Sequence, residues 1–276
     1  YLVIGHITQD LTPEGTRLGG TATYAALTAR ALGLQAALVT SAAPDAPANT
    51  LAEFPALRLP SEHSTTFENI YDGNGRTQFL RAVAAPIALD SVPHHWQRTS
   101  IVHLAPVARE IDPRMAEQFP ASFVGLTPQG WLREWNAAGR VRPADWPEAE
   151  TTLRYASAVV LSDEDVRGDR ALVDRWATAA KVLVITEGEA GATVYSAGQG
   201  RRFPAPAVEV VDPTGAGDIF AAAFFVRLRE AGDPWQAARF AVTLASASVT
   251  RRGLGGIPIE QEVVAARNSS RIRWFP

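Results

Sequence analysis

Short apolar runs alternate along the chain with stretches whose apolar residues repeat at helical spacing. Runs of strand length lie at Leu2–Ile7, Ala36–Thr40, Ile101–Ala105, Phe123–Leu126, Ala158–Leu161 and Val182–Thr186. The helical stretches are Thr21–Leu32, Asp169–Ala180, Asp218–Ala231 and Pro234–Arg251. Most of them are followed closely by glycine, which commonly ends a helix. This alternation predicts a parallel sheet covered by helices on both faces.

One region departs from the alternation. Ser64–Leu80 has two arms rich in Thr, Phe and Tyr around Asp72-Gly73-Asn74-Gly75, a pattern that predicts a β-hairpin outside the main sheet. No low-complexity linker or internal repeat divides the chain. We therefore expect residues 1–276 to form a single α/β domain that carries the hairpin.

Composition narrows the function classes. The chain has 276 residues, a formal charge of −3 and no long run of like charge, so we expect a small-molecule partner and neither nucleic acid nor membrane. The absence of cysteine excludes thiolate zinc sites and disulfides. Lys181 is the only lysine and lies outside a G-x-x-x-x-G-K-[ST] loop, which excludes a P-loop NTPase. Without a signal-peptide pattern at Tyr1 or an apolar span of about 18 residues, a cytoplasmic location is expected.

The stretch Val208–Phe225 carries the clearest chemistry, because a glycine-rich turn with a carboxylate precedes a very apolar helix. The unpaired amides of a helix N-terminus favour anions, and Gly215 and Gly217 would let a phosphate approach the backbone. Asp218 would then be placed to take a proton from an attacking hydroxyl during phosphoryl transfer. The alternative is that Asp218 only starts the helix as its N-cap.

Three segments resemble PfkB-type, ribokinase-like carbohydrate kinases. Asp212–Asp218, "DPTGAGD", resembles the C-terminal signature of that family. "GHITQDL" followed by "LGGTATYAALTARALG" resembles its first strand, substrate-binding Asp and Gly-Gly before a helix. Phe240–Pro258 is similar to its adenine-pocket helix and the following loop, so the matches run from Gly5 to Pro258. The resemblance implies a three-layer α/β/α fold with a mostly parallel central sheet and a small β lid at about residues 8–19 and 64–82.

The resemblance also implies the roles of individual residues. Asp218 matches the catalytic base, and the amides of Gly215, Ala216 and Gly217 match an anion hole. Asp10, Gly19 and Gly20 match substrate-side positions, and Asp10 is expected at the end of the first strand, where a carboxylate can bind two hydroxyls. The nucleotide side would comprise Thr186, Gly188, Thr214, Ala245 and Ser248.

Some features resemble the inositol-kinase branch of the family, namely "GHITQD", the lid sequence and "TPQGWLREW". They make Gln129 and Arg133 candidates for substrate binding, although Trp131 and Trp135 also suit simple packing. Thr127 stands where that branch usually has aspartate. The implied substrate is therefore a sugar or a cyclitol.

The chain also departs from the family pattern. Ser162 and Asp165 replace the usual N-x-x-E near the phosphates, and Asp165 could hold hydrated Mg²⁺ or belong to a plain polar loop. Val242 replaces a common adenine-pocket asparagine. ATP and Mg²⁺ are the implied cofactors, a monovalent cation is a further candidate, and the lid edge could pair two subunits into a homodimer.

Two other function classes compete with the kinase. One alternative is a protein with this fold that binds a sugar or nucleotide without turnover. A dinucleotide-dependent oxidoreductase is disfavoured because Phe220 occupies the place of the third glycine and no G-x-G-x-x-G follows the first strand.

Overall fold

The structure is a computed structural model that describes residues 1–44, 46, 55–72 and 75–270. In chain order its strands are β1 (Leu2–Ile4), β2 (Thr8–Thr12), β3 (Gly15–Gly19), β4 (Ala37–Ala42), β5 (Ala56–Pro60), β6 (Thr65–Asp72), β7 (Gly75–Ala82), β8 (Ile101–Leu104), β9 (Phe123–Leu126), β10 (Arg133–Trp135), β11 (Val141–Pro143), β12 (Ala158–Ser162), β13 (Val182–Thr186), β14 (Ala192–Ser196) and β15 (Gln199–Phe203). The α-helices are α1 (Thr21–Ala31), α2 (Ala149–Tyr155), α3 (Arg170–Ala179), α4 (Ala216–Ala231), α5 (Pro234–Ser248) and α6 (Glu260–Ser270). Short 3₁₀ turns include Pro128–Leu132, Gly188–Ala190 and Gly253–Gly256.

The main sheet has nine strands in the order β15-β14-β13-β12-β9-β8-β1-β4-β5. Neighbours from β13 through β5 are parallel, whereas β14 and β15 are antiparallel. The predicted mostly parallel sheet is therefore confirmed. Because parallel strands end at one edge, the residues that follow β1, β8, β9, β12 and β13 meet there.

Helices cover both faces of this sheet. One core joins α1, α4, α5 and α6 to the sheet, and the other packs α2 and α3 on the opposite face. Residues Ile219–Val226 are all buried, which confirms that α4 is an internal helix. The predicted helix Pro234–Arg251 ends instead at Ser248, because the amides of Thr250 and Arg251 turn back onto carbonyls three residues earlier.

The predicted hairpin lies in a second, four-stranded sheet of order β3-β2-β6-β7. Strands β2 and β6 are parallel, and the other two pairs are antiparallel. Gly73 and Asn74 of the predicted turn lie outside the described residues. A small apolar cluster of Phe67, Leu80, Val107 and Ala108 lies beneath this sheet. Among the described helices, none has the length and apolar character needed to cross a membrane.

Candidate active site

The N-termini of α1 and α4 meet at the carboxyl edge of the main sheet. Gly20 precedes α1 with φ 87° and Gly215 precedes α4 with φ 80°, both in the left-handed region that favours glycine. A Cβ at Gly215 would overlap the ring of Tyr24 on α1. The Thr21 side chain is hydrogen bonded to the Asp218 carboxylate. The two helix starts therefore form one packed unit around Asp218.

Asp218 lies in the first turn of α4 in a partly desolvated position. Burial raises its pKa from the ordinary value of 3.8 to about 6, opposed by the hydrogen bond from Thr21 and the charge of Arg133. The negative charges of Asp10 and Asp165 raise this pKa further. Four of the predicted site residues, which come from distant parts of the sequence, thus interact electrostatically: Asp10, Arg133, Asp165 and Asp218.

The turn that precedes α4 is held in place by Asp212. Its carboxylate accepts hydrogen bonds from the amides of Thr214 and Gly253, each at 2.9 Å. Burial alone would raise the pKa of Asp212, but these hydrogen bonds outweigh it and hold the pKa below its ordinary value. The amide of Asp212 also donates to the Val249 carbonyl at 3.0 Å. Asp212 therefore connects the glycine turn to the loop that follows α5.

The first amides of α4 differ in their hydrogen-bond partners. Ala216 N–H donates to the Pro213 carbonyl at 3.2 Å, while Ile219 N–H donates to Gly215 at 2.9 Å. Gly217 has no left-handed backbone, and a Cβ there would meet no atom within 4 Å. Neither backbone geometry nor internal packing requires glycine at 217. The open space beside it suits a ligand that approaches the helix N-terminus.

Asp10 lies within β2 of the small sheet, so its predicted position at the end of the first strand is corrected. The chain leaves the main sheet after Ile4 and enters the small sheet at Thr8, which carries Asp10 above the edge. Thr8 Oγ1 donates to Asp10 Oδ1 at 3.0 Å. The same carboxylate packs against Gly19, where a Cβ would overlap it. Gly19 thus leaves room for Asp10.

Arg133 begins β10 directly after the 3₁₀ turn Pro128–Leu132. Its charge lowers the pKa of both Asp218 and Asp165, although burial leaves the pKa of each above the ordinary value. Arg109 Nε donates to the Arg133 carbonyl at 2.7 Å and fixes this strand start. Gln129 is half-buried within the turn, and its substrate role stays a prediction.

Thr127 and Trp131 contribute to packing. Thr127 is buried, with its hydroxyl 2.9 Å from His103 Nε2, and His103 Nδ1 lies 2.9 Å from the Tyr1 hydroxyl. Burial lowers the pKa of His103 to about 3, so the imidazole is neutral. The Trp131 indole donates to the Ile111 carbonyl at 2.7 Å and packs on Trp146 with ring centroids 4.9 Å apart. The packing interpretation of Trp131 is therefore confirmed.

The predicted nucleotide-side residues occupy mixed environments. Thr186 ends β13 beside Ser162 at the end of β12, and Gly188 follows with φ 56° and open space around its Cα. Thr214 is exposed at the glycine turn. Ser248 is buried, and its hydroxyl donates to the Ala245 carbonyl at 2.8 Å. Their nucleotide contacts stay predictions.

The acidic residues fit a hydrated magnesium ion better than a fully protein-enclosed one. Asp165 Oδ2 accepts the Ser162 amide at 3.0 Å, which employs one oxygen of the carboxylate. The described residues contain no group of three or more His, Cys, Asp or Glu that could enclose a metal. Magnesium commonly keeps several waters and binds through one or two carboxylates together with phosphate oxygens. Asp165 suits that mode of binding.

Sequence analysis did not identify Thr21, Tyr24 or Arg17 as site residues. Tyr24 is buried, and its pKa is raised by burial first and then by the charges of Asp218, Asp212 and Asp10. Arg17 lies close enough for its charge to lower the pKa of both Tyr24 and Asp212. The signal for Thr21 is its place directly after a Gly-Gly pair at a helix start, whereas nothing local distinguishes Tyr24 or Arg17.

Comparison with known proteins supports the carbohydrate-kinase class that the sequence motifs resemble. Residues 148–261 match the model of the pfkB family carbohydrate kinases. The chain is 27% identical over 250 residues to the cytidine kinase of Thermococcus kodakarensis, a match that covers 81% of this chain and 86% of the relative. A pyrophosphate-dependent kinase of the ribokinase family, solved with a pyrophosphate analogue and myo-inositol, is similar with TM-score 0.79 and 20% identity over 96% of this chain and 99% of that one. Arabidopsis thaliana ribokinase with ribose and ATP gives TM-score 0.73 and 18% identity over 99% and 98% of the two chains.

The fold and the family match together define the class. The central sheet with its helical layers is the ribokinase-like fold, and the family match falls on the half of the chain that contains α4 and its glycine turn. The family match over residues 148–261 and the fold of the whole chain together indicate a carbohydrate kinase of the PfkB type.

Proposed function

We propose that this kinase transfers the γ-phosphoryl group of Mg-ATP to a hydroxyl of a small sugar or cyclitol, with Asp218 as the general base. The observation that carries the proposal is the Asp218 carboxylate in the first turn of α4, with a pKa raised by burial to about 6. A carboxylate with such a pKa is ionised at neutral pH and is a stronger base than an exposed aspartate.

The reaction needs a nucleophile, a base and stabilisation of the transferring charge. Asp218 accepts the hydroxyl proton as the acceptor oxygen attacks the γ-phosphorus, and ADP leaves with the electron pair of the broken bond. The open space beside Gly217 supports binding of the anionic phosphoryl oxygens by amides at the start of α4. The positive charge of Arg133 faces the same region and helps to keep Asp218 ionised.

Magnesium would be held through Asp165 and water. When bound, the ion neutralises charge on the ATP phosphates. Asp165 keeps its own carboxylate oriented by accepting the Ser162 amide, so its remaining oxygen can bind a water of the hydrated ion.

Acceptor binding is assigned to Asp10, with Gln129 and Arg133 as further candidates. Asp10 lies close enough to Asp218 for its charge to raise the Asp218 pKa. A carboxylate that accepts two hydrogen bonds favours neighbouring hydroxyls, which are common to sugars and cyclitols. The solved relative with myo-inositol supports a cyclitol, while the cytidine kinase supports a nucleoside as the competing acceptor.

The first experiment measures product formation with two donors, ATP and pyrophosphate, against myo-inositol, other cyclitols, ribose, fructose and cytidine. Wild type is compared with Asp218→Asn and with Asp174→Asn, an exposed aspartate on α3 that serves as the matched control. We expect ATP-dependent phosphorylation of one acceptor class, lost in Asp218→Asn and kept in Asp174→Asn.

Other outcomes assign other functions. ATP binding without product from any acceptor would favour the non-catalytic alternative. Turnover with pyrophosphate and none with ATP would overturn the assignment of ATP as donor, and the proposed role of Asp218 as general base would stand. Equal turnover in wild type and Asp218→Asn would overturn the proposed mechanism.

A further inference from the structure

His6 lies where the main sheet and the small sheet are connected. The chain crosses between them at residues 5–7 and 61–64, leaves the small sheet for α1 at Gly20, and leaves it again after Ala82. His6 is fully buried among these crossings, and its carbonyl lies so close to Gly20 that a Cβ there would come within 2.9 Å of it. A single side chain therefore occupies the junction of the two sheets.

The imidazole of His6 closes a cycle of hydrogen bonds. His6 Nε2 lies 2.9 Å from the Ala85 carbonyl, which can only accept, so Nε2 carries the proton. Thr65 Oγ1 accepts the Ala84 amide at 3.0 Å and lies 2.7 Å from His6 Nδ1. The Thr65 hydroxyl and Nδ1 form the second hydrogen bond of the ring. Both ring nitrogens are therefore hydrogen bonded, Nδ1 to Thr65 of β6 and Nε2 to the Ala85 carbonyl just after β7.

The backbone of His6 is anchored to the loop that follows β8. Its amide donates to Glu110 Oε1 at 2.9 Å, and Glu110 is itself buried. The same carboxylate accepts the amides of Val107 at 3.0 Å and Ala108 at 2.8 Å, in the loop that follows β8. The backbone of His6 is thus held by the loop after β8, and its ring is bonded to β6 and to the segment that follows β7.

Strand pairing connects the His6–Thr65 hydrogen bond to the position of Asp10. Strand β2 begins two residues after His6 and pairs with β6 in the register Thr8↔Thr65 and Asp10↔Phe67. The His6–Thr65 hydrogen bond therefore fixes the start of the register that places Asp10, whose charge reaches Asp218.

We infer that His6 is a positioning residue that sets the small sheet, and with it Asp10, over Asp218. The inference rests on the proposed function for its effect on phosphoryl transfer. Loss of the cycle would loosen the small sheet, weaken acceptor binding and admit water to the transferring phosphoryl group. The nucleotide side, built on the main sheet, would keep its affinity.

The test uses variants that remove one hydrogen bond at a time. His6→Asn keeps an acceptor near the Nδ1 position, His6→Gln keeps a donor near Nε2, and His6→Ala removes both. His63→Ala is the matched control, because His63 lies in the neighbouring crossing with its side chain 62% exposed. Thr65→Ser keeps the hydroxyl and Thr65→Val removes it without a large change of shape.

We expect His6→Ala and Thr65→Val to raise the acceptor KM about tenfold or more and to increase ADP release relative to phosphorylated product. In both variants kcat at saturating acceptor and the nucleotide Kd should stay within about threefold of wild type. His6→Asn and His6→Gln should be intermediate, and Thr65→Ser and His63→Ala should match wild type. Unchanged KM and coupling in folded His6→Gln and Thr65→Val, or equal losses of acceptor and nucleotide binding, would overturn the inference.

A second measurement is independent of catalysis. Amide hydrogen exchange of the unliganded protein should be faster in β6 and β7 of His6→Gln and Thr65→Val than in wild type, with the main sheet unchanged. If wild type transfers no phosphoryl group, the proposed function fails, and this exchange pattern still decides whether His6 holds the small sheet. Uniform exchange across both sheets in the variants would contradict the positioning role.

Discussion

The two sheets carry the site in different ways. The central strands of the main sheet are buried on both faces, as in β1 and β8, where every residue is buried. In the small sheet, β3 is exposed for most of its length and only a small apolar cluster lies beneath. Apolar burial stabilises the first sheet, whereas a few hydrogen bonds orient the second.

Each of the two sheets supports one carboxylate of the candidate active site. Asp218 belongs to the helix packed on the main sheet, and Asp10 belongs to the small sheet. We therefore expect changes on the Asp218 side to affect the chemical step or the fold. Changes on the Asp10 side should affect acceptor binding.

The largest expected effect comes from Asp218→Asn. Removal of the base should lower kcat by about 10²–10⁴-fold, the usual contribution of general base catalysis. Nucleotide Kd should stay close to wild type because the α4 amides are unchanged. Steady-state kinetics and nucleotide titration check both values. A similar kcat for the variant would show that the main sheet does not supply the base.

Gly215→Ala and Gly217→Ala form a matched pair within one turn. Gly215→Ala should destabilise the fold by about 2–4 kcal/mol, because φ 80° is unfavourable for alanine and its Cβ would overlap Tyr24. Gly217→Ala meets no protein atom and should cost no stability, yet it should weaken binding of the phosphoryl donor. Thermal unfolding and donor titration separate the two. Equal destabilisation by both would contradict the ligand-facing role of Gly217.

Asp10→Asn tests the small sheet. We expect the acceptor KM to rise roughly 10–100-fold, the value of a lost charge-assisted hydrogen bond of about 1.5–3 kcal/mol. The melting temperature and nucleotide Kd should change little. Glu14→Gln, on the turn between β2 and β3 and exposed, is the control. A fall in kcat without a change in KM would place Asp10 in the chemical step.

The smallest effect is the pH dependence of Asp218. With its pKa raised to about 6, kcat/KM should fall about tenfold per pH unit below that value. Because the folded-state pKa is raised, the stability that Asp218 contributes is present below its ordinary pKa of 3.8 and is lost as pH rises through about 6. Asp218→Asn should therefore be more stable than wild type at pH 8, by about 1–3 kcal/mol, and not at pH 4. An equal gain at both pH values would contradict this assignment.

Much of the main sheet and its helices could be predicted from the sequence. Apolar runs located β1, β4, β8, β9, β12 and β13, and glycine following helical periodicity located α1 and α4. The pattern did not predict α2, α6 or the pair β10–β11, because these elements are short or have mixed polarity. Asp10 was predicted at the end of the first strand of the main sheet but lies in β2 of the small sheet. Strand periodicity does not reveal which sheet a strand joins.

The glycine turn, Asp218 and the buried helix that follows could be identified without the structure, because backbone freedom, helix-end electrostatics and apolar periodicity are local properties. The folded structure was needed to find that Thr21 and Arg133 lower the pKa of Asp218, that Tyr24 requires glycine at 215, and that His6 bonds to segments on either side of the hairpin. These contacts link residues far apart in the chain. Their free energies depend on burial and on partner geometry, which exist only after the chain has folded.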